Sequence, residues 1–168
     1  ALATRWPTMK GGYTVMLDVG ANVEADAEQL VEFAIMGEAF ARAVSDEPRP
    51  KVALLNVGAE DQKGHEEIRA AARLIRESGV DINFQGFVEG DDISKGTADV
   101  VVTDGFTGNI ALKTGEGTAR LVAQLLREHL TGGALAQLGA LIAYPALRKL
   151  RTRMDPGTFN GALFLGLN

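Results

Sequence analysis

The stretch Ala98-Asp-Val-Val-Val-Thr-Asp-Gly-Phe-Thr-Gly-Asn-Ile-Ala-Leu-Lys113 decides the fold class. Its first half is a valine run, the mark of a strand covered on both faces. Its middle, Asp104-Gly105-Phe106-Thr107-Gly108-Asn109, reads as a polar loop punctuated by glycine. From Asn109 to Leu130 the residues take a helical rhythm. A strand that passes through such a loop into a helix is half of a βαβ unit. The loop carries backbone N–H groups, an aspartate and an asparagine to a helix N-terminus, where anions bind readily. Lys113, one turn beyond Asn109, adds positive charge.

The same grammar extends in both directions. Residues 14–18 form a short apolar run that reads as a strand. Asp26 with Gln29 has the form of a capping box. Leu30, Phe33, Ala34, Phe40, Ala41 and Val44 recur at helical spacing, so a helix is predicted over 26–44, ended by Pro48 and Pro50. Strands are predicted at 51–57, 82–87 and 100–103, and a helix at 65–78 closed by Gly79. This alternation predicts an α/β fold, a mostly parallel sheet with helices on both faces. Three of its strands end alike: Asp18-Val-Gly20-Ala-Asn22, Asn56-Val-Gly58 and Asp104-Gly105. Parallel strands bring such endings to one carboxyl edge, where α/β proteins bind ligands. Good turn chemistry explains any one of them; three together predict a site.

Composition narrows the chemistry. The 168 residues suit one domain, and a net charge of −5 speaks against nonspecific nucleic-acid binding. With no cysteine there is no disulfide, thiolate metal site or thiol nucleophile. No apolar run reaches the ~18 residues of a membrane span, and no signal-peptide pattern stands at the start. The chain begins Ala-Leu-Ala-Thr-Arg-Trp-Pro, without an initiator Met, and its end still reads as a strand, so a piece of something longer is expected. No G-x-G-x-x-G follows a strand, and Lys63-Gly64 reverses the Walker order. His65 and His129 lack metal spacing, and His65-Glu66-Glu67 reads as the polar first turn of a helix. Ser45, Ser78 and Ser94 sit in linkers or at a helix end, with no nucleophile elbow. An enzyme built this way takes its nucleophile from the substrate. No metal and no cofactor are expected.

Five motifs carry a family resemblance: residues 17–22 (LDVGAN), 55–58 (LNVG) with Lys63-Gly64, 83–90 (NFQGFVEG), 104–113 (DGFTGNIALK) and 160–168 (NGALFLGLN). In order and spacing they resemble the PlsX family, the bacterial phosphate acyltransferases of phospholipid synthesis. The resemblance implies transfer of a long fatty acyl group from acyl carrier protein to inorganic phosphate, giving acyl phosphate. It also implies a homodimer, a cytoplasmic location, and a fold similar to isocitrate and isopropylmalate dehydrogenases and to phosphotransacetylase. The family's amino-terminal glycine-rich loop and the segment that follows Asn168 fall outside this chain.

The residues suit that reaction. Phosphate is already an anion at neutral pH, and a thiolate leaving group with a conjugate pKa of about 8.5 needs little acid help. The site has to hold phosphate in line with the thioester and stabilise the oxyanion. Lys63 and Lys113, with the N–H groups of Gly105, Phe106, Thr107, Gly108 and Asn109, are the candidates for the anionic groups. Asn22, Asn56 and Asn109 would orient phosphate or carbonyl, Asp18 and Asp104 would fix loops or lysines, and Gly20, Gly58 and Gly64 would let the backbone approach the ligand. A short-chain acyl-CoA phosphotransferase and a non-catalytic phosphate-binding module are the alternatives.

Residues 1–130 are expected to form the sheet domain, 131–155 an amphipathic basic helical segment that completes a protruding hairpin, and 156–168 the start of a returning strand. Leu135, Leu138, Leu141, Ile142, Leu147 and Leu150 make an apolar stripe, interrupted at Pro145 and followed by Arg148, Lys149, Arg151 and Arg153. Such a face fits a second subunit, an anionic membrane surface or a membrane acyltransferase partner, and its basic end also fits the acidic carrier protein.

Overall fold

Val100, Val101 and Val102 lie at the centre of a six-stranded sheet in the computed structural model, which describes residues 1–154 and 163–166. The strands are β1 (Leu2–Pro7), β2 (Tyr13–Leu17), β3 (Lys51–Leu55), β4 (Asn83–Val88), β5 (Val100–Val102) and β6 (Leu163–Phe164). The helices are α1 (Ala27–Val44), α2 (Glu66–Glu77), α3 (Gly90–Lys95), α4 (Gly105–Thr131) and α5 (Ala134–Met154). The strand order is β4-β3-β5-β2-β1-β6. Strands β2, β5, β3 and β4 run parallel, with Val100 facing both Val15 and Val52 in register. β1 is antiparallel to β2 and to β6.

Alternate side chains of the central strands face opposite layers, as the pleat requires. Val15, Leu17, Val52, Leu54, Val100 and Val102 pack with Leu30, Phe33 and Ala34 of α1 and with Ala71, Ala72 and Ile75 of α2. Met16, Ala53, Leu55 and Val101 face the other way, towards Ile93 of α3 and Ala111 and Leu112 of α4. Helices thus cover both faces, which is why these strands read as continuous apolar runs.

The helix over 26–44 is observed as α1, and Asp26 and Gln29 form the expected reciprocal capping box. Gly79 follows the α2 C-cap Ser78 with a φ of +71°, the left-handed turn for which glycine is the cheapest residue. Two elements go beyond the sequence reading. β1 ends in Pro7 and carries Thr4 and Arg5, so its apolar signal is thin; pairing with β2 organises it. α3 has six residues, too few for a periodic pattern.

α4 is also longer than expected. It starts at Gly105, four residues before Asn109, because Asp104 caps it. Lys113 therefore lies more than two turns inside the helix rather than one. After Gly132 and Gly133, α5 packs on α4. Pro145 does not interrupt α5; it removes one backbone donor and the helix continues through it. Leu135, Leu141 and Ile142 are 84%, 72% and 75% exposed. Among the described residues, no helix is long and apolar enough to cross a membrane. Of the expected returning strand, Leu163 and Phe164 pair with β1, while 156–162 and 167–168 lie outside the described residues, as does most of the motif at 160–168.

Candidate functional site at the carboxyl edge

β2, β3 and β5 are parallel and neighbouring, so the three similar strand endings do share one edge. Chain direction turns there: the helix after β5 covers one face of the sheet, and those after β2 and β3 cover the other. Ligand crevices form at such a switch point. A cleft of 640 Å³ opens on this edge, walled by residues 23–26 before α1, by His65, Glu67 and Ile68 at the start of α2, and by Asp104, Phe106 and Thr107 at the start of α4.

The floor beside the cleft is built around Asp18, which is fully buried. Its Oδ1 accepts from the N–H groups of Leu2 (2.9 Å), Gly20 (3.2 Å) and Ala21 (3.0 Å). Its Oδ2 accepts from the backbone N–H (2.7 Å) and the side-chain amide (2.8 Å) of Asn22. Burial is the largest influence on this carboxyl and pushes its pKa up; the donors from Ala21, Leu2 and Asn22 together outweigh it and hold the pKa below the ordinary value. With five donors on it, Asp18 has no lone pair left for a ligand. The side chain of Asn22 is likewise turned inward, onto Asp18. Gly20, at φ +135°, lies beneath the Asn109 side chain, 3.6 Å from an added Cβ to its Oδ1.

The first turn of α4 sits directly on this loop. A Cβ on Gly105 would come within 2.0 Å of the Asn22 carbonyl oxygen, and one on Gly108 within 1.9 Å of the Asp18 carbonyl oxygen. Both glycines are therefore packing requirements between two backbones. The N–H donors expected to hold an anion are largely engaged: Phe106 N–H donates to Val23 O (3.2 Å), Thr107 N–H to Asp104 Oδ1 (2.7 Å) and Gly108 N–H to Asp104 O (3.0 Å). The Thr107 hydroxyl also donates to Asp104 Oδ2 (2.8 Å). Asp104 thus occupies the helix terminus itself. Phe106 is 61% exposed and presents its ring at the cleft.

The third loop, 56–64, closes on itself. Asn56 Nδ2 donates to Lys63 O (3.1 Å), and Val57 N–H donates to Asn56 Oδ1 (2.9 Å). An added Cβ on Gly64, at φ +86°, would overlap Asn56 Oδ1, and one on Gly58 would meet the Lys63 side chain. Lys63 Nζ pairs with Glu60 Oε2 at 2.9 Å, both half exposed. Lys113 pairs with Glu116 at 3.1 Å, and the cleft lining includes neither Lys63 nor Lys113.

His65, set aside in the sequence as helix-start polarity, is the N-cap of α2 and lines the cleft. It makes no side-chain capping bond. Of the helices whose starts line the cleft, α1 and α4 are capped by aspartates and α2 has no side-chain cap. The open positive helix end is therefore α2, flanked by His65 and the Lys63 loop. Glu24, Asp26 and Glu67 also line the cleft unannounced. The absence of a capping serine, threonine or aspartate before Glu66 was the available signal for this open terminus. Among the described residues, no cluster of three or more His, Asp or Glu side chains could hold a metal ion.

The family model for "Fatty acid synthesis protein" matches residues 1–168. The chain belongs to this family. Over its full span it is 62% identical to the phosphate acyltransferase of Caulobacter vibrioides, covering 46% of that protein. It is 60% identical to that of Maricaulis maris over 99% of this chain and 48% of the relative. The resemblance read from the five motifs is thereby borne out, and the chain spans about half the length of these curated relatives. Among solved structures, a phosphotransacetylase from Streptococcus pyogenes is similar with a TM-score of 0.55 at 18% identity, over 71% of this chain and 41% of that one. At that identity the likeness concerns the fold.

Proposed function

We propose that this chain is the phosphate-handling part of an acyltransferase that moves a long-chain fatty acyl group from acyl carrier protein to inorganic phosphate, giving acyl phosphate for phospholipid synthesis. The observation that carries the reading is the uncapped start of α2, which opens with His65 onto the edge cleft. Phosphate sits at this terminus, with Lys63 swinging from Glu60 to join it. A phosphate oxygen attacks the thioester carbonyl, the oxyanion is held by N–H donors and positive charge, and the thiolate leaves. Phe106 and Val23 offer apolar surface to the acyl chain. Asp18, Asn22, Asn56 and Asp104 hold the loops that set this geometry, so their part is positioning.

The names of the relatives support this reading, and the phosphotransacetylase likeness keeps a second one, a short-chain acyl-CoA donor, in play. Acyl phosphate formation by protein of the relatives' full length, supplied with phosphate and either long-chain acyl carrier protein or acetyl-CoA, separates them. Preference for the carrier protein supports the proposal. Binding of acyl phosphate without turnover by either donor replaces it with a non-catalytic module.

The dehydrogenase-like architecture, the homodimer, cytoplasmic placement and a peripheral membrane contact belong to the same proposal. The exposed apolar side chains of α5, with Arg148, Lys149 and Arg151 at its end, support an occupant on that face. Flotation with anionic vesicles, set against the oligomeric state, tells a lipid occupant from a second subunit.

A further inference from the structure

We infer that α4 carries a hinge at Gly115–Gly117 that uncouples its outer half and α5 from the loop 18–22 and the cleft beside it. The inner end of α4 has no slack. Gly105 and Gly108 press on the carbonyl groups of Asn22 and Asp18, and Ala111 and Leu112 pack on the sheet core. Gly115 continues this contact, since an added Cβ there would come within 1.9 Å of the Trp6 ring. Trp6 is itself held by the bond from its Nε1 to Ser94 Oγ at 3.0 Å. Gly115 therefore has a packing reason.

Gly117 has none. Nothing lies within 4 Å of the position its Cβ would take. A glycine inside a helix leaves the backbone freer than any other residue and lowers helix propensity more than any except proline. It sits at the boundary between two regimes. From residue 117 to 131, all but Ala119 and Leu130 are exposed, and α4 is the one described element with which α5 makes substantial contact. Two glycines separated by one residue, the first fixed against Trp6 and the second in open space, place the hinge just outside the Trp6 contact. A straight stiff helix would transmit every displacement of the α4–α5 arm to the Asp18 loop. The hinge absorbs it.

Hydrogen exchange on protein of the relatives' full length tests this, with Gly117→Ala as the variant. In the parent, amides 115–121 are expected to exchange faster than amides 109–113. Gly117→Ala slows exchange at 117–121 by about fivefold, the fold-change that matches the helix-propensity gap between glycine and alanine, and leaves β5 unchanged. In a cysteine-free background, spin labels at Glu77→Cys and Lys149→Cys are expected to give a broad distance distribution that narrows in the Gly117→Ala variant. Exchange in the parent equally slow on both sides of Gly115 overturns the proposal. So does uniform slowing through α4 and the sheet, which is plain stabilisation, or a distribution whose width does not change.

Discussion

Replacing Gly108 by alanine tests the close seating of α4 on the Asp18 loop. The added Cβ lies 1.9 Å from the Asp18 carbonyl oxygen and 3.0 Å from Thr103 Cγ2. An ordinary carbon–oxygen approach is about 3.3 Å, so the first turn of α4 has to withdraw by about 1.4 Å. Backbone stands on both sides of the clash, and no rotamer relieves it. Overpacking of this kind costs about 1–3 kcal/mol, and a backbone clash belongs at the upper end. Alanine recovers about 1 kcal/mol of helix propensity, leaving a net loss of about 2 kcal/mol. With a urea m-value of about 2 kcal/mol/M, the unfolding midpoint falls by about 1 M. The withdrawal also stretches the bond from Phe106 N–H to Val23 O, already 3.2 Å, and displaces the cleft wall formed by residues 104–107. A misplacement of about 1 Å lowers turnover by roughly 10²-fold. Urea denaturation and acyl phosphate formation by the full-length protein measure the two effects. A midpoint within about 0.2 M of the parent, with unchanged turnover, refutes the close-seating argument. Gly117→Ala supplies the control within the same helix: nothing lies within 4 Å there, and the urea midpoint does not fall.

Lys63→Ala is expected to lower turnover by about 10²-fold, while Lys113→Ala, which loses only the exposed Glu116 pair, changes it less than about threefold; a steady-state assay in which both fall equally would restore Lys113 to the site. Asp18 gives a signature in acid. Its folded pKa is depressed, so its stabilisation is present above the unfolded value of about 3.9 and is lost as pH falls through the lower folded value. Asp18→Asn removes that dependence and, by leaving its N–H donors badly matched, costs about 2 kcal/mol at neutral pH; a pH series of thermal unfolding with parallel curves for variant and parent contradicts the assignment.

The central strand β5 was legible because both its faces are buried, which erases alternation and leaves a bare valine run between turn residues. The α1 boundary was legible because a capping box is written in consecutive positions. β1 was not, since its burial depends on pairing with β2 rather than on its own periodicity. The three polar strand tips were correctly brought to one edge, but their side chains point mainly into the loops. Asp18 and Asn56 satisfy backbone groups that any tight strand-to-helix turn leaves unpaired. A motif of Asp, Asn and Gly therefore reports the shape of a site before it reports its chemistry. His65 was overlooked for the converse reason: a single histidine at a helix start has no pattern, and only the cleft gives it a direction.

Electrostatics then determines where an anion is accommodated. Glu24, Asp26, Glu67 and Asp104 line the cleft, and a phosphate at about 6 Å from one such carboxylate meets a repulsion of about 3 kcal/mol per charge pair at an effective dielectric constant of 20. The α4 end cannot offset this, because Asp104 already caps it. The α2 end can contribute, and Glu66 beside it is turned to Arg73 and Arg69, which hold its carboxyl below the ordinary pKa and offset its charge. Lys63 adds a mobile ammonium on a loop held by Asn56 and Gly64. Even so, one lysine and one helix terminus against four carboxylates leave the cleft short of positive charge.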